Sequence, residues 1–126
     1  GFGGSISLNL SKQSINPGKD FGPYGIAKAS SLFSMKQYAL EEGEFNIRSN
    51  GINADRIRSG LLNKNLVKAR SSARGLSEKE YMQGNLLKSE VRATDVANAF
   101  LALSLMERTT GTILTVDGGN VAAMPR

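Results

Sequence analysis

Three strand-like stretches divide this chain, and helix-length segments separate them. That order restricts the fold more than any other feature. Ser5-Ile6-Ser7-Leu8-Asn9-Leu10 alternates polar and apolar residues strictly, the period of a strand. Phe45–Ile52 forms a second short strand-like stretch, and Thr112–Val116 a third, just before Asp117-Gly118-Gly119. Between the first two lies a polar loop, with Asn16-Pro17-Gly18 as a turn, and then a helical pattern from Tyr24 to Glu42. Gly22-Pro23 precedes that helix, and Gly43 is placed to end it. Between the second and third strands the pattern predicts two polar helices, Leu61–Arg74 and Ser77–Lys88, and one apolar helix, Val96–Met106. Ser77 with Glu80 three residues on is a capping-box pattern, and Thr94 or Asp95 is placed to cap the apolar helix. Strands that alternate with helices predict a mainly parallel α/β sheet. Three strands make a thin parallel sheet, and such sheets want both faces covered. The expectation is therefore one partial domain over residues 1–126, the second half of a larger sheet.

Composition narrows the chemistry. The 126 residues include no histidine and no cysteine. Ser-His-Asp and Cys-His catalysis, zinc-finger sites and disulfides are thereby excluded, and no metal site is expected. Proton transfer must fall to Tyr, Lys, Ser or a carboxylate. The absence of cysteine fits a cytoplasmic protein. No apolar run is long enough to span a membrane, and no signal-peptide pattern opens the chain. The net charge of +5 is unevenly placed: residues 46–92 hold ten Lys or Arg against four Asp or Glu. The densest part is Arg56, Arg58, Lys64, Lys68, Arg70 and Arg74. A solvated helical face explains such a run, and so does a surface that meets phosphate. No aromatic residue lies between Asn46 and Tyr81 to stack bases, so nucleic acid is not the expected partner.

Tyr24 and Lys28 stand four residues apart in the long helix. That spacing sets both side chains on one face, about 6 Å apart along the axis. A phenol is a poor base, but a neighbouring ammonium favours its phenolate. Such a tyrosine can exchange a proton with a carbinol or carbonyl oxygen. Ser11 ends the first strand, and its hydroxyl could steady charge on the same oxygen if strand and helix pack side by side. Chance alone gives about 0.2 Tyr-x-x-x-Lys matches in a chain of this composition, so the pair is weak without the serine and the element order.

With Ser11, Tyr24-Gly-Ile-Ala-Lys28-Ala-Ser, Ile47-Arg-Ser-Asn50-Gly-Ile, Thr94-Asp-Val-Ala and Gly111-Thr-Ile-Leu-Thr-Val-Asp117-Gly-Gly together, the chain resembles the C-terminal half of short-chain dehydrogenases/reductases. The resemblance implies a doubly wound Rossmann sheet without its N-terminal strands, and hydride transfer between NAD or NADP and a small-molecule substrate. It implies Ser11, Tyr24 and Lys28 as catalytic residues, and Tyr24, Lys28, Asp55 and Ile57 on the cofactor. It also implies that residues 60–92 close over substrate, and that the Tyr24–Leu40 helix joins subunits of a homo-oligomer through Ala29, Phe33, Gln37 and Leu40. Where the family carries Pro-Gly after its middle strand, this chain has Ala54-Asp55. Gly1-Phe-Gly-Gly-Ser-Ile precedes a strand rather than following one, so it is not the glycine-rich pyrophosphate turn. A chain without that half of the cofactor site is expected to be inactive alone. Asn16-Pro-Gly, Phe21-Gly-Pro-Tyr24, Asn53-Ala-Asp55 and Ala122-Ala-Met-Pro-Arg126 further resemble the dehydrogenase module of bifunctional rhamnulose-1-phosphate aldolase/alcohol dehydrogenases, which implies a small hydroxyaldehyde as substrate. The alternatives are a non-enzymatic module that uses the basic stretch on acidic partners, and a purely assembling one.

Overall fold

Parallel pairing of three strands organises the computed structural model, which describes residues 2–120. β1 (Gly4–Asn9) pairs with β2 (Ile47–Ala54), and β2 pairs with β3 (Ile113–Val116), in the order β1-β2-β3. Gly4 lies opposite Ile47 in the first ladder and Gly51 opposite Ile113 in the second. α1 (Gly22–Glu42) crosses from β1 to β2. α2 (Lys64–Ser72), α3 (Glu78–Met82) and α4 (Ala93–Leu105) lie between β2 and β3.

The alternation that predicted strands also divides the core. Leu10, Leu32 and Met35 are buried together, with Leu8 and Ile113 against them, so α1 covers one face of the sheet. Ile52, Ala99 and Leu103 form a second cluster with Val96, Phe100 and Val116, so α4 covers the other. This is the helix–sheet–helix layering of a doubly wound sheet. Gly51 is fixed by packing rather than by its backbone angle: a Cβ there would run into Leu10 Cδ1, with Met35 Cε 3.7 Å away. Asn50 is fully buried and stitches the sheet, since its Nδ2 donates to Thr109 O at 2.9 Å and its Oδ1 accepts from the Thr112 N–H at 3.1 Å.

Several boundaries differ from expectation, each for a local reason. α1 begins at Gly22, with Pro23 in its first turn. Gly43 follows its last residue but keeps a right-handed backbone, and the chain reverses at Asn46, φ 59°, after a 3-10 turn over Gly43–Phe45. α4 begins at Ala93 rather than beyond Thr94 or Asp95. Asp95 lies inside its first turn and accepts the Arg92 N–H at 2.7 Å. The predicted helix Ser77–Lys88 stops at Met82. Past that point the N–H groups of Leu86 and Leu87 donate to the carbonyls of Gly119 and Gly118, which withdraws them from any helix. The capping box is present: the Glu80 N–H donates to Ser77 Oγ at 3.2 Å, and the Ser77 N–H donates to Glu80 at 2.8 Å. Hydrogen bonds to the carboxylate from the Ser77 backbone N–H, and then from the Ser77 side chain, hold the Glu80 carboxyl below its ordinary pKa.

Candidate active site

Both halves of the Tyr-Lys pair lie on the first turns of α1, where the helix leaves the carboxyl end of β1. Lys28 Nζ donates to the carbonyl of Asn9, the last residue of β1, at 2.8 Å. The same ammonium stands 5.7 Å from the centre of the Tyr24 ring. Phe21 meets that ring edge-on at 6.1 Å. Tyr24 is half-buried, and among the described residues its hydroxyl makes no hydrogen bond. The two side chains share one face of the helix, as their spacing predicts.

Ser11 lies two residues past β1 and caps a short 3-10 turn, Lys12–Ser14. Its hydroxyl oxygen accepts the Gln13 N–H at 3.2 Å, which leaves its own proton free to donate. This turn packs on α1, so the structure brings Ser11 to the helix that bears Tyr24 and Lys28. No hydrogen bond links Ser11 to Tyr24 among the described residues.

Asp55 and Ile57 follow β2 directly. Asp55 Oδ2 accepts from Asn120 Nδ2 at 2.6 Å and meets Lys12 Nζ at 3.5 Å and Arg56 Nε at 3.7 Å. Ile57 is half-buried, and its backbone N–H has no partner among the described residues. Ser11, Asp55 and Ile57 thus follow the carboxyl ends of two adjacent parallel strands, the end at which open α/β sheets bind ligands, and Lys28 reaches the end of β1 from α1. Lys12 and Asn120 were not legible here, because an isolated Lys or Asn in a polar loop carries no mark of burial.

The basic stretch is largely engaged within the fold. The Arg56 guanidinium stacks over Tyr81 at 4.5 Å and donates to its carbonyl at 2.6 Å. Arg74 lies 5.4 Å from the same ring, and Arg70 lies 4.5 Å from Phe21. Arg58 pairs with Glu90 at 2.6 Å. Four of the six densest cations therefore have intramolecular partners. Tyr81 also anchors a separate small core, with Leu62, Val67 and Met82, under residues 60–92. An apolar cleft of about 280 Å³, between Ile15, Pro17 and the Phe21–Ala29 part of α1, does not include Ser11, Tyr24 or Lys28. Among the described residues, no helix is long and apolar enough to cross a membrane.

Comparison with known proteins identifies the family and the fold. A family model described as enoyl-(acyl carrier protein) reductase matches residues 3–120. An uncharacterized oxidoreductase of Bacillus subtilis (strain 168), YuxG, is 34% identical over 98% of this chain, which covers 19% of that protein. Among solved structures, carveol dehydrogenase from Mycobacterium avium, in complex with NAD, superposes with a TM-score of 0.82 at 26% identity, over 95% of this chain and 47% of that one. L-sorbose reductase from Gluconobacter frateurii, complexed with NADPH and L-sorbose, gives a TM-score of 0.78 at 28% identity, over 95% and 48%. The chain thus spans about half the length of these dehydrogenase structures. With its three-layer fold and a match over nearly all its length, the chain belongs to the short-chain dehydrogenase/reductase family.

Proposed function

We propose that this chain is the catalytic half of an NAD- or NADP-dependent oxidoreductase acting on a small alcohol or carbonyl compound. The observation that carries the proposal is Lys28, tethered to the end of β1 and held beside the free phenol of Tyr24. In the oxidative direction, Tyr24 takes the hydroxyl proton of the substrate while the carbinol carbon gives up its hydride. A nicotinamide cofactor, when bound, would supply the hydride acceptor. Lys28 sets its positive charge beside the phenol that exchanges this proton. The Ser11 O–H donates to the substrate oxygen and offsets charge developing there. In reduction each proton moves the other way.

The residues present fit the nicotinamide-ribose end of such a cofactor. Lys28 offers an ammonium for ribose hydroxyls, and Ile57 offers an unpaired backbone N–H beside the half-exposed carboxylate of Asp55. No glycine-rich turn opens a helix after a strand among the described residues, so these residues do not supply the pyrophosphate site. Segment 60–92, which carries its own small core, is proposed to close over substrate.

A finer reading makes the substrate a small hydroxyaldehyde such as lactaldehyde, handled by the dehydrogenase module of a bifunctional aldolase/dehydrogenase. Supporting it, this chain covers only 19% of YuxG, so a whole dehydrogenase fold would fill well under half of that relative. Of the residues resembling that group, Ala122–Arg126 lie outside the described residues. The same helix is proposed to join subunits. Ile26, Phe33 and Leu40 follow one stripe of α1 and are 71%, 68% and 79% exposed. Ala29 lies on that stripe, whereas Gln37 is half-buried and donates to Glu41. The alternative of a basic binding module loses support, since most of its cations face aromatic rings or Glu90.

The test is direct. The full-length protein is given NAD or NADP with secondary alcohols, hydroxyaldehydes and their carbonyl counterparts, and nicotinamide absorbance is followed. Turnover with at least one pair is expected. Absence of nicotinamide redox across the panel, from folded protein, would refute the proposal.

A further inference from the structure

A buried ion cluster joins the carboxyl ends of all three strands and shares Asp55 with the residues just described. Lys12 follows Ser11 immediately and is only 7% exposed. Its Nζ meets Asp117 Oδ2, past the end of β3, at 2.9 Å, and Asp55 Oδ2, past the end of β2, at 3.5 Å. It also donates to the Asn120 carbonyl at 3.4 Å. The Asp117 side chain is fully buried, and its Oδ1 accepts the Gly119 N–H at 2.8 Å. Arg56 Nε, at 3.7 Å, is the other cation facing Asp55.

Stability alone does not account for such a group. Taking charges out of water is costly, and well-packed apolar residues often serve as well or better. What an ion cluster adds is fixed geometry. Here one ammonium ties the Ser11 turn to the chain after β2 and the chain after β3. Every polar contact of the Asp55 carboxylate falls on Oδ2. Oδ1 has none among the described residues, and the side chain is 26% exposed. Oδ2 is thus held by Lys12 and Asn120, and Oδ1 is left without a polar contact on a partly exposed side chain.

We propose that Lys12 is a positioning residue. It holds Asp55 Oδ1 as a fixed hydrogen-bond acceptor for an N–H or O–H donor of the bound ligand, and holds the Ser11 turn in register with it. The donor is either the carboxamide amine of the nicotinamide or a hydroxyl of the substrate. This inference rests on the oxidoreductase reading only for the identity of that ligand.

The experiment uses the full-length protein with Lys12→Met. The Lys12→Met/Asp117→Asn variant removes the opposing charge as well, and carries the test should the single variant fail to fold. Amide exchange needs no ligand. Loss of the clamp is expected to speed exchange at Gln13, bonded to Ser11 Oγ, and at Gly119, bonded to Asp117, while Gly51, bonded to Thr112 O, stays unchanged. Equal acceleration across the sheet, or none at Gln13 and Gly119, would overturn the proposal.

In the kinetic arm the acetylpyridine cofactor analogue, which lacks the amine donor, is compared with the natural cofactor. If the carboxamide is the donor, the wild type favours the natural cofactor in KM by about tenfold or more, the worth of one hydrogen bond to a charged group, and Lys12→Met loses that preference. If the substrate is the donor, its KM rises by about the same factor in Lys12→Met, with kcat changed much less. Neither change, in an enzyme that turns over, would also overturn the proposal. An enzyme with no nicotinamide turnover at all would instead refute the proposed function and leave the exchange arm to decide this one.

Discussion

Replacing Gly51 with alanine tests how the sheet holds Ser11. The added Cβ would overlap Leu10 Cδ1 and lie 3.0 Å from Leu10 Cγ, with Met35 Cε at 3.7 Å. Gly51 is fully inside the sheet, its N–H donates to Thr112 O at 2.9 Å, and no left-handed angle is involved, so the cost is steric. Leu10 and Met35 are 3% and 0% exposed and cannot swing out. Overpacking a closed core by one methyl costs about 1–3 kcal/mol, and this contact belongs at the upper end. Leu10→Ala alone creates a cavity and costs about 2–5 kcal/mol. Together the two changes should cost about 1–3 kcal/mol less than their sum, because the new methyl occupies space the leucine vacates. Urea unfolding of the wild type, both single variants and the double variant measures this coupling. Leu10 immediately precedes Ser11, so Gly51→Ala should also lower turnover, and the double variant should recover part of it. Additive energies, or a Gly51→Ala variant as stable as wild type, would refute the packing argument.

Other consequences are open to measurement. The Glu80 carboxyl is held below its ordinary pKa by the Ser77 hydrogen bonds, so its contribution to α3 is present above the ordinary carboxylate pKa and lost as pH falls through the lowered one. Amide exchange at Ser77 should rise over that acid range, and Glu80→Gln should remove the dependence. Phe33→Asp places a charge in the exposed stripe of α1 and should shift the protein to a smaller species in light scattering without loss of helix content. Without cofactor, amides in 60–92 should exchange faster than those in Ile113–Val116, because that segment rests on a small core of its own.

How far the sequence led depends on how local the cause was. Alternation in Ser5–Leu10 is a property of neighbouring residues, and it located β1 to within a residue. The Tyr24–Lys28 pair follows from helix period, and the structure places both side chains together. Ser77 and Glu80 cap as their spacing demands. The end of α3 was not legible, because it depends on Leu86 and Leu87 bonding to glycines more than thirty residues away. The burial of Lys12 was hidden for the same reason: its partners Asp55, Asp117 and Asn120 are all distant in the chain. The basic stretch misled in part, since charge counted along a sequence does not show that Arg56, Arg70 and Arg74 lie against rings.

The central claim is that Tyr24, held beside Lys28, moves the proton. Its most direct test is turnover by Tyr24→Phe in the full-length protein, with cofactor affinity measured alongside. The phenol hydroxyl has no structural hydrogen bond to lose among the described residues, so the fold should be preserved. Removing a positioned acid–base group lowers turnover by roughly 10²–10⁴-fold, and a loss of that order is the predicted result. A Tyr24→Phe enzyme that turns over at a rate close to wild type would contradict the account.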